Sequence, residues 1–398
     1  MDTERIADVT FGLHNCQRSY PSAVNTHQTL YSSTAEMRIA LLVPTLEIGG
    51  VERVFINLAN GLHEAGIEVD MITGSAGGDM GRDLGTGIRL FNLDSERMLK
   101  SVPKLARYLR TRTPHALIAA MTHSSAVAVL ARVGLRKKVK IVATEHCTMS
   151  KVVANTTGLK YRLMPLWGRW ALTSVDYIVA VSVGVADDLS VQTGIPRSRF
   201  QVIYNPVISQ SIYEAAAAPV EHPWFQAGEP PVILAVGRLD KQKDFPMLVR
   251  AFRMVRDSRS VRLMILGEGP DRSRIENTVR EHRLSADVAL PGFEHNPHRF
   301  MKRSAVFALS SAWEGFGVVL VEALALGLPV VSTNCTCGPA EILGDGRYGS
   351  LVPVADHQAM AQALLRTLDK PVQPDNSEHL QQFTTRSVVA QYISIISD

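Results

Sequence analysis

The chain has 398 residues, 46% hydrophobic and 20% charged, with 42 Lys and Arg against 38 Asp and Glu. That balance excludes a disordered, collagenous or coiled-coil protein, and a chain this long builds a core without disulfides or a structural metal. Its 4 Cys point to a reducing compartment, and Cys335 and Cys337 stand too close together for a CxxC pair.

Residues 1–36 are polar and aperiodic, and read as a poorly structured N-terminal extension that does no chemistry. The opening MDTERIADVTFG has no apolar h-region, so no secretory signal is expected. Met37, a candidate natural start, opens MRIALLVPTLEIGG, the first strand of a nucleotide-type domain. From there β-rich runs alternate with helical patterns, the signature of a parallel sheet. The first series predicts strands over 38–43, 67–72, 116–120, 140–144, 177–181 and 201–204, with helices beginning near Val51, Ser95, Ser124, Gly158 and Gly184. A Pro- and Ala-bearing passage at 206–231 breaks the rhythm. The second series predicts strands within 232–239 and over 261–266, 287–290, 305–309, 329–332 and 351–353, with helices beginning near Phe245, Arg272, Arg299, Phe316 and His357. The expected fold class is α/β, two doubly wound Rossmann-like domains facing across a cleft. Their expected bounds are 37–210 and 231–372, joined by a linker at 211–230. Residues 373–398 read as a helical region crossing back to the first domain. No stretch of 18 apolar residues occurs; the nearest, 315–331, carries Glu322.

Ligands bind beyond the carboxyl ends of parallel strands, so the loops there carry the functional reading. Gly49 and Gly50 precede an amphipathic helix, where glycine permits positive φ and the helix start offers free N–H groups. This is no GxGxxG, and Asp70 lies inside the second strand, so the dinucleotide fingerprint fails. A tight turn and a phosphate-facing loop both fit. In the second series, 237-GRLDKQKDF-245 carries Arg238 and Lys243, two cations suited to a diphosphate or simply solvated. The turn 266-LGEGP-270, with Gly267, lets backbone approach a ligand. The segment SSAWEGFGVVLVEALALG brings Glu314 in a loop, Gly315 and Gly317 at a helix start, and Glu322 inside an apolar helix. A buried carboxylate without a partner costs about several kcal/mol, so Glu322 needs a diol, an Arg or backbone N–H groups.

Basic residues cluster at Arg97, Lys100, Lys104, Arg107, Arg110 and Arg112, and again at Arg132, Arg136, Lys137, Lys138 and Lys140. Lys100, Lys104, Arg107 and Arg110 share a helix face whose start Pro103 disturbs. The segment LKYRLMPLWGRWA (159–171) sets Trp167 and Trp170 among basic flanks, the pattern of an interfacial helix or of ordinary packing. Solvated faces and an anionic membrane surface both fit this charge; no nucleic-acid motif accompanies it.

Together the Glu314-x7-Glu322 pair in SAWEGFG, the GRL…K loop, LGEGP and the early GG loop resemble the retaining glycosyltransferases of family 4, over roughly 38–370. NCTCGPAEIL and 203-IYNPV-207 resemble the bacterial branch that extends polyprenyl-diphosphate-linked oligosaccharides, including N-glycan N-acetylgalactosamine transferases and capsule, O-antigen and exopolysaccharide relatives. The resemblance implies the GT-B fold. It puts Arg238 and Lys243 on the donor diphosphate, Glu322 on the ribose, and Glu314 at the donor sugar or reacting centre. Backbone amides of Phe316, Gly317 and Val318 would meet the β-phosphate, and Gly49, Gly50 and Gly267 would line the donor site. His146, in VATEHC, would hydrogen-bond the transferred sugar. Asp244 and the Asn205–Pro206 pair depart from the family pattern.

The implied reaction is retaining transfer of a hexose or N-acetylhexosamine, N-acetylgalactosamine foremost, from a UDP-sugar to a polyprenyl-diphosphate-linked glycan. It needs no covalent nucleophile and no cofactor, and with no DxD at a strand end no metal is expected. Lys100, Lys104, Arg107, Arg110, Trp167 and Trp170 would face the acceptor or an anionic membrane, which implies a cytoplasmic enzyme peripheral to the inner face of the membrane. A soluble acceptor or GDP-sugar donor, an epimerase, and a non-catalytic sugar-nucleotide scaffold remain open as alternatives.

Overall fold

In β1, Arg38–Val43, every residue after Arg38 is buried, as a strand covered on both faces requires. The computed structural model describes residues 37–47, 49–75, 78–95, 97–156, 158–371 and 375–397, so the reading of 1–36 lies outside the described residues. β1 is followed by β2 (Glu68–Thr73), β3 (Arg89–Asn92), β4 (Ala116–Ala120), β5 (Lys140–Glu145), β6 (Tyr177–Ala180) and β7 (Phe200–Val202). Among the described residues these form a sheet of 7 strands in the order β3-β2-β1-β4-β5-β6-β7, parallel throughout. A second parallel sheet has 6 strands in the order β10-β9-β8-β11-β12-β13. Its members are β8 (Val232–Val236), β9 (Arg262–Leu266), β10 (Val288–Gly292), β11 (Val306–Leu309), β12 (Val330–Thr333) and β13 (Ser350–Val352).

Both sheets reverse direction of growth beside their first strand, between β1 and β4 and between β8 and β11. A crevice forms at such a switch point, outside the carboxyl ends of the strands. One strand has no counterpart in the sequence reading. β3, RLFN, is a largely exposed edge strand, so it lacks the apolar run that marks its neighbours. Pro103 sits in the first turn of helix Val102–Arg112 and does not disturb it, because that turn's N–H groups have no intrahelical partner.

The segment read as a linker contains helix Gln210–Ala217, whose carbonyls accept bonds from the second domain: Asn296 Nδ2 to Ala215 at 2.8 Å and Arg303 Nη1 to Ala216 at 3.3 Å. The chain's return passes Phe383, whose carbonyl accepts the N–H groups of Val207 and Ile208, both at 3.0 Å. The two crossings between domains are therefore bonded to each other. Beyond them helix Thr385–Ser397 packs on helix Gly50–Glu64: a methyl group on Gly61 would fall 2.3 Å from Thr385 Cγ2.

Candidate active site

The loops after β8 and β11 flank the second switch point. Asp240 shapes the first by accepting the N–H groups of Gln242 and Lys243 at 3.1 and 3.2 Å. Lys243 is thereby turned to Glu314, Nζ to Oε1 at 2.5 Å, with side-chain exposures of only 15% and 7%. Ser311 Oγ donates to the same Oε1 at 2.6 Å, and Gln242 Nε2 donates to the Trp313 carbonyl at 3.0 Å. Glu314 is thus a fixed carboxylate, neutralised before any substrate arrives. Arg238 differs: its Nε bonds Asp240 at 2.6 Å, but the side chain stays 71% exposed. Asp244 takes a φ of +42°, a left-handed conformation that explains why an amide or smaller residue suits this position.

Gly317 caps helix Val318–Ala325 with φ +98°, a backbone that favours glycine, and the N–H groups of Val318 and Val319 stand in the helix's first turn, where no intrahelical carbonyl reaches them. The Phe316 ring turns away from the loop, stacking on Tyr204 at 5.6 Å and meeting Phe383 edge-on at 5.7 Å. Only its backbone is left for a ligand. Gly267 has a simpler reason than ligand approach: a methyl group there would lie 2.0 Å from the Gly237 carbonyl oxygen, so the two loops need it for their own packing. Glu322 is buried, and neither an arginine nor a lysine pairs with it among the described residues. Instead His298 faces it, Nε2 to Oε1 at 3.4 Å.

Across the cleft, His146 leaves β5 buried, with Nε2 3.1 Å from Thr144 Oγ1 and the ring 5.8 Å from that of Phe55. Burial lowers its pKa to about 4, so the imidazole is neutral at pH 7. Its neighbour Glu145 points to the opposite face of the sheet, accepting from Thr122 Oγ1 at 2.9 Å while Oε1 has no partner. Burial pushes that carboxyl up to about 8. Gly49 takes an ordinary extended φ of −168°, so the glycine-specific freedom expected there is unused. The space beside it holds the Glu52 carboxylate, while nothing lies within 4 Å of where a Gly50 side chain would begin.

The two walls meet at Gly315, where a methyl group would sit 1.9 Å from the His146 carbonyl oxygen. Ser182 Oγ donates to the Gly315 carbonyl at 2.8 Å, and the Glu341 carboxylate accepts the N–H groups of Val183 and Gly184 at 2.9 and 3.2 Å. Neither Ser182 nor Glu341 stands out in the sequence: Ser182 reads as an ordinary N-cap, accepting Val185 N–H at 3.1 Å, and the partners that join the two walls lie far away along the chain. Among the described residues no cluster of three or more His, Cys, Asp or Glu suits a metal ion.

The basic ladder Lys100, Lys104, Arg107 and Arg110 is exposed, although Lys104 also donates to the Asp94 carbonyl at 3.0 Å. Three other cations of those clusters hold the fold: Arg112 lies 3.5 Å from both Glu68 and Asp70, Arg132 pairs with Asp176, and Lys140 Nζ donates to Ile396 at 2.7 Å. Trp167 is half-buried and donates to the Lys160 carbonyl at 3.2 Å, whereas Trp170 is 45% exposed beside Leu159 (70%), Leu163 (43%) and Leu166 (68%). No helix among the described residues is long and apolar enough to cross a membrane.

Two parallel sheets with their switch points turned to a shared cleft, ion-paired loops on one wall and a neutral histidine on the other, define a two-domain fold of the GT-B class. Family comparison agrees: residues 48–210 match the model "Glycosyltransferase Family 4" and residues 221–386 the model "Glycosyl transferases group 1". The N-acetylgalactosamine-N,N'-diacetylbacillosaminyl-diphospho-undecaprenol 4-alpha-N-acetylgalactosaminyltransferase of Campylobacter jejuni is 30% identical over 243 residues, 61% of this chain and 64% of that enzyme, less than two thirds of its length. The lipopolysaccharide core biosynthesis glycosyltransferase LpsE of Rhizobium meliloti is 25% identical over 360 residues, 88% of this chain and 96% of the relative. Anabaena Alr3699/HepE, solved in complex with UDP and glucose, superposes with a TM-score of 0.67 at 18% identity, over 91% of this chain and 96% of that one. The chain belongs to glycosyltransferase family 4.

Proposed function

We propose that this protein transfers a hexose or N-acetylhexosamine, best read as N-acetylgalactosamine, from a UDP-sugar to a polyprenyl-diphosphate-linked glycan with retention at the anomeric carbon. The observation that carries the reading is the Lys243–Glu314–Ser311 cluster, joined to the His146 wall through Gly315. Departure of a nucleoside diphosphate builds negative charge on the leaving oxygens. Lys243 with its Glu314 partner and the N–H groups that follow Gly317 would meet that charge from fixed positions, and exposed Arg238 would swing to it. Glu314 holds Lys243 in place and presents Oε2 toward the donor sugar. The neutral His146 offers the sugar a hydrogen bond without adding a charge. No carboxylate is assigned as a covalent nucleophile, and the cations take the place of a metal.

The lipid-linked acceptor draws support from the exposed row Leu159, Leu163, Leu166 and Trp170 beside Lys160 and Arg162, an apolar patch with basic flanks suited to the inner face of an anionic membrane. Helix Val102–Arg112 returns antiparallel to the strands, which brings Lys100 and Lys104 to the cleft end and leaves Arg110 at the far end. The Campylobacter relative acts on an undecaprenol-linked diphosphate by its name, and the Anabaena structure holds UDP. Nucleotide release from UDP- and GDP-sugars, with detergent-solubilised polyprenyl-diphosphate glycans and with or without EDTA, tests the proposal. Acceptor-dependent UDP release that survives EDTA and collapses in Lys243→Ala and Glu322→Ala is expected. UDP binding with no turnover on any lipid-linked acceptor overturns the acceptor; no nucleotide binding overturns the reading.

A further inference from the structure

Glu322 is a buried carboxylate of the donor wall with which no arginine or lysine pairs among the described residues. It stands in an apolar helix, Val318–Ala325, and the charged or titratable group facing it is His298, whose Nε2 lies 3.4 Å from Oε1. That Nε2 is buried and makes no aligned hydrogen bond. The terminal torsion of a glutamate is broad, so a carboxylate with no neighbour rotates among orientations and presents its lone pairs poorly to a diol. One donor on one oxygen fixes the plane. The other oxygen is then left to the ligand.

His298 is well placed to be that donor because its own turn is braced. On one side Asn296 Nδ2 donates to the Ala215 carbonyl at 2.8 Å; on the other Arg299 Nη1 donates to the Pro219 carbonyl at 3.2 Å and Arg303 Nη1 to Ala216 at 3.3 Å. Phe300 packs edge-on against Phe225 at 5.6 Å. The short helix His298–Met301 is thereby tied to the segment that joins the domains. Such bracing is what a side chain needs if it is to hold another one in register.

We propose that His298 is a positioning residue that orients the Glu322 carboxylate for the ribose hydroxyls of the donor nucleotide. The inference rests on the reading of Glu322 as the ribose ligand, and the experiment separates the two. UDP and 2′-deoxy-UDP are titrated calorimetrically into the wild type, Glu322→Gln, His298→Phe and His298→Gln. A hydrogen bond to a charged group implies a wild-type preference for UDP of about tenfold or more. Glu322→Gln removes that preference. His298→Phe removes most of it while weakening 2′-deoxy-UDP, which keeps only the 3′-hydroxyl, much less than UDP, and His298→Gln, which keeps an N–H donor, retains it. If the preference is lost in Glu322→Gln but intact in His298→Phe, the role of His298 is wrong and the ribose reading stands. Equal weakening of both nucleotides in His298→Phe also overturns it, since that is the mark of a merely structural residue. Absence of UDP binding, no wild-type preference, or one that survives Glu322→Gln overturns the ribose reading and this inference with it.

Discussion

The two walls of the cleft solve opposite electrostatic problems. The second-domain wall is charged and already compensated: Lys243 is spent on Glu314, and exposed Arg238 leans on Asp240. The first-domain wall is desolvated and neutral at His146, whose pKa burial holds below its ordinary range. A wall that stabilises a departing diphosphate needs fixed charge. A wall that meets the transferred sugar and its acceptor, as proposed, gains more from excluding water.

The sharpest break comes from unpairing the charged wall. Lys243→Ala leaves Glu314 buried without its counter-ion, which should destabilise the protein by about 3–5 kcal/mol in urea unfolding. Turnover should fall on the order of 10²–10³-fold. The double variant Lys243→Met/Glu314→Gln should recover the stability but not the turnover. Joining the walls comes next. Gly315→Ala puts a methyl group against the His146 carbonyl and should lower kcat by roughly 10²-fold, because a displacement of about 1 Å at a reacting centre costs that much. UDP affinity by calorimetry should fall less than kcat, since Lys243–Glu314 and Glu322–His298 keep their own contacts within the second domain.

On the acceptor side, Leu166→Ser or Trp170→Ser should each weaken flotation with anionic liposomes by about tenfold, the effect of withdrawing about 1.5 kcal/mol of apolar burial. Activity on a truncated, water-soluble acceptor should not change. A further effect concerns stability alone. Folded Glu145 titrates near 8 against an ordinary value of 4.5, so the folded chain keeps a proton that the unfolded chain releases. Stability therefore falls as pH climbs from about 4.5 to about 8, by at most about 1.4 kcal/mol per pH unit. Glu145→Gln should flatten that slope in thermal melts. His146 works the other way: its folded pKa lies near 4 against 6.5, so its contribution is full above about 6.5 and is lost as pH falls toward 4.

The residues of the proposed donor wall could be nominated from the sequence because they are crowded into short stretches. Arg238 and Lys243 share one loop, while Glu314, Gly317 and Glu322 share one strand–loop–helix unit. The residues that hold them could not. Ser311 and Gln242 are ordinary loop residues until they meet Glu314, and Glu341 is one more helix acid until it caps Val183 and Gly184. Gly267 was legible as a required glycine, but the reason is its contact with Gly237, which only the packed loops reveal.

By itself the sequence determined the alternation of strand and helix, and with it two parallel sheets whose carboxyl ends carry the loops, because burial on both faces leaves continuous apolar runs such as RIALLV. It determined that Arg238, Lys243, Glu314 and Glu322 share the loops and helix beside one switch point, because their spacing is local. Tertiary structure alone decided which of many cations are spent within the fold, as with Arg112, Arg132 and Lys140, and which remain free. It also decided that His146 and Glu145 are desolvated and that His298 faces Glu322. Those are consequences of where distant segments come to rest. Desolvation and close approach depend on the surrounding chain, which no local pattern encodes.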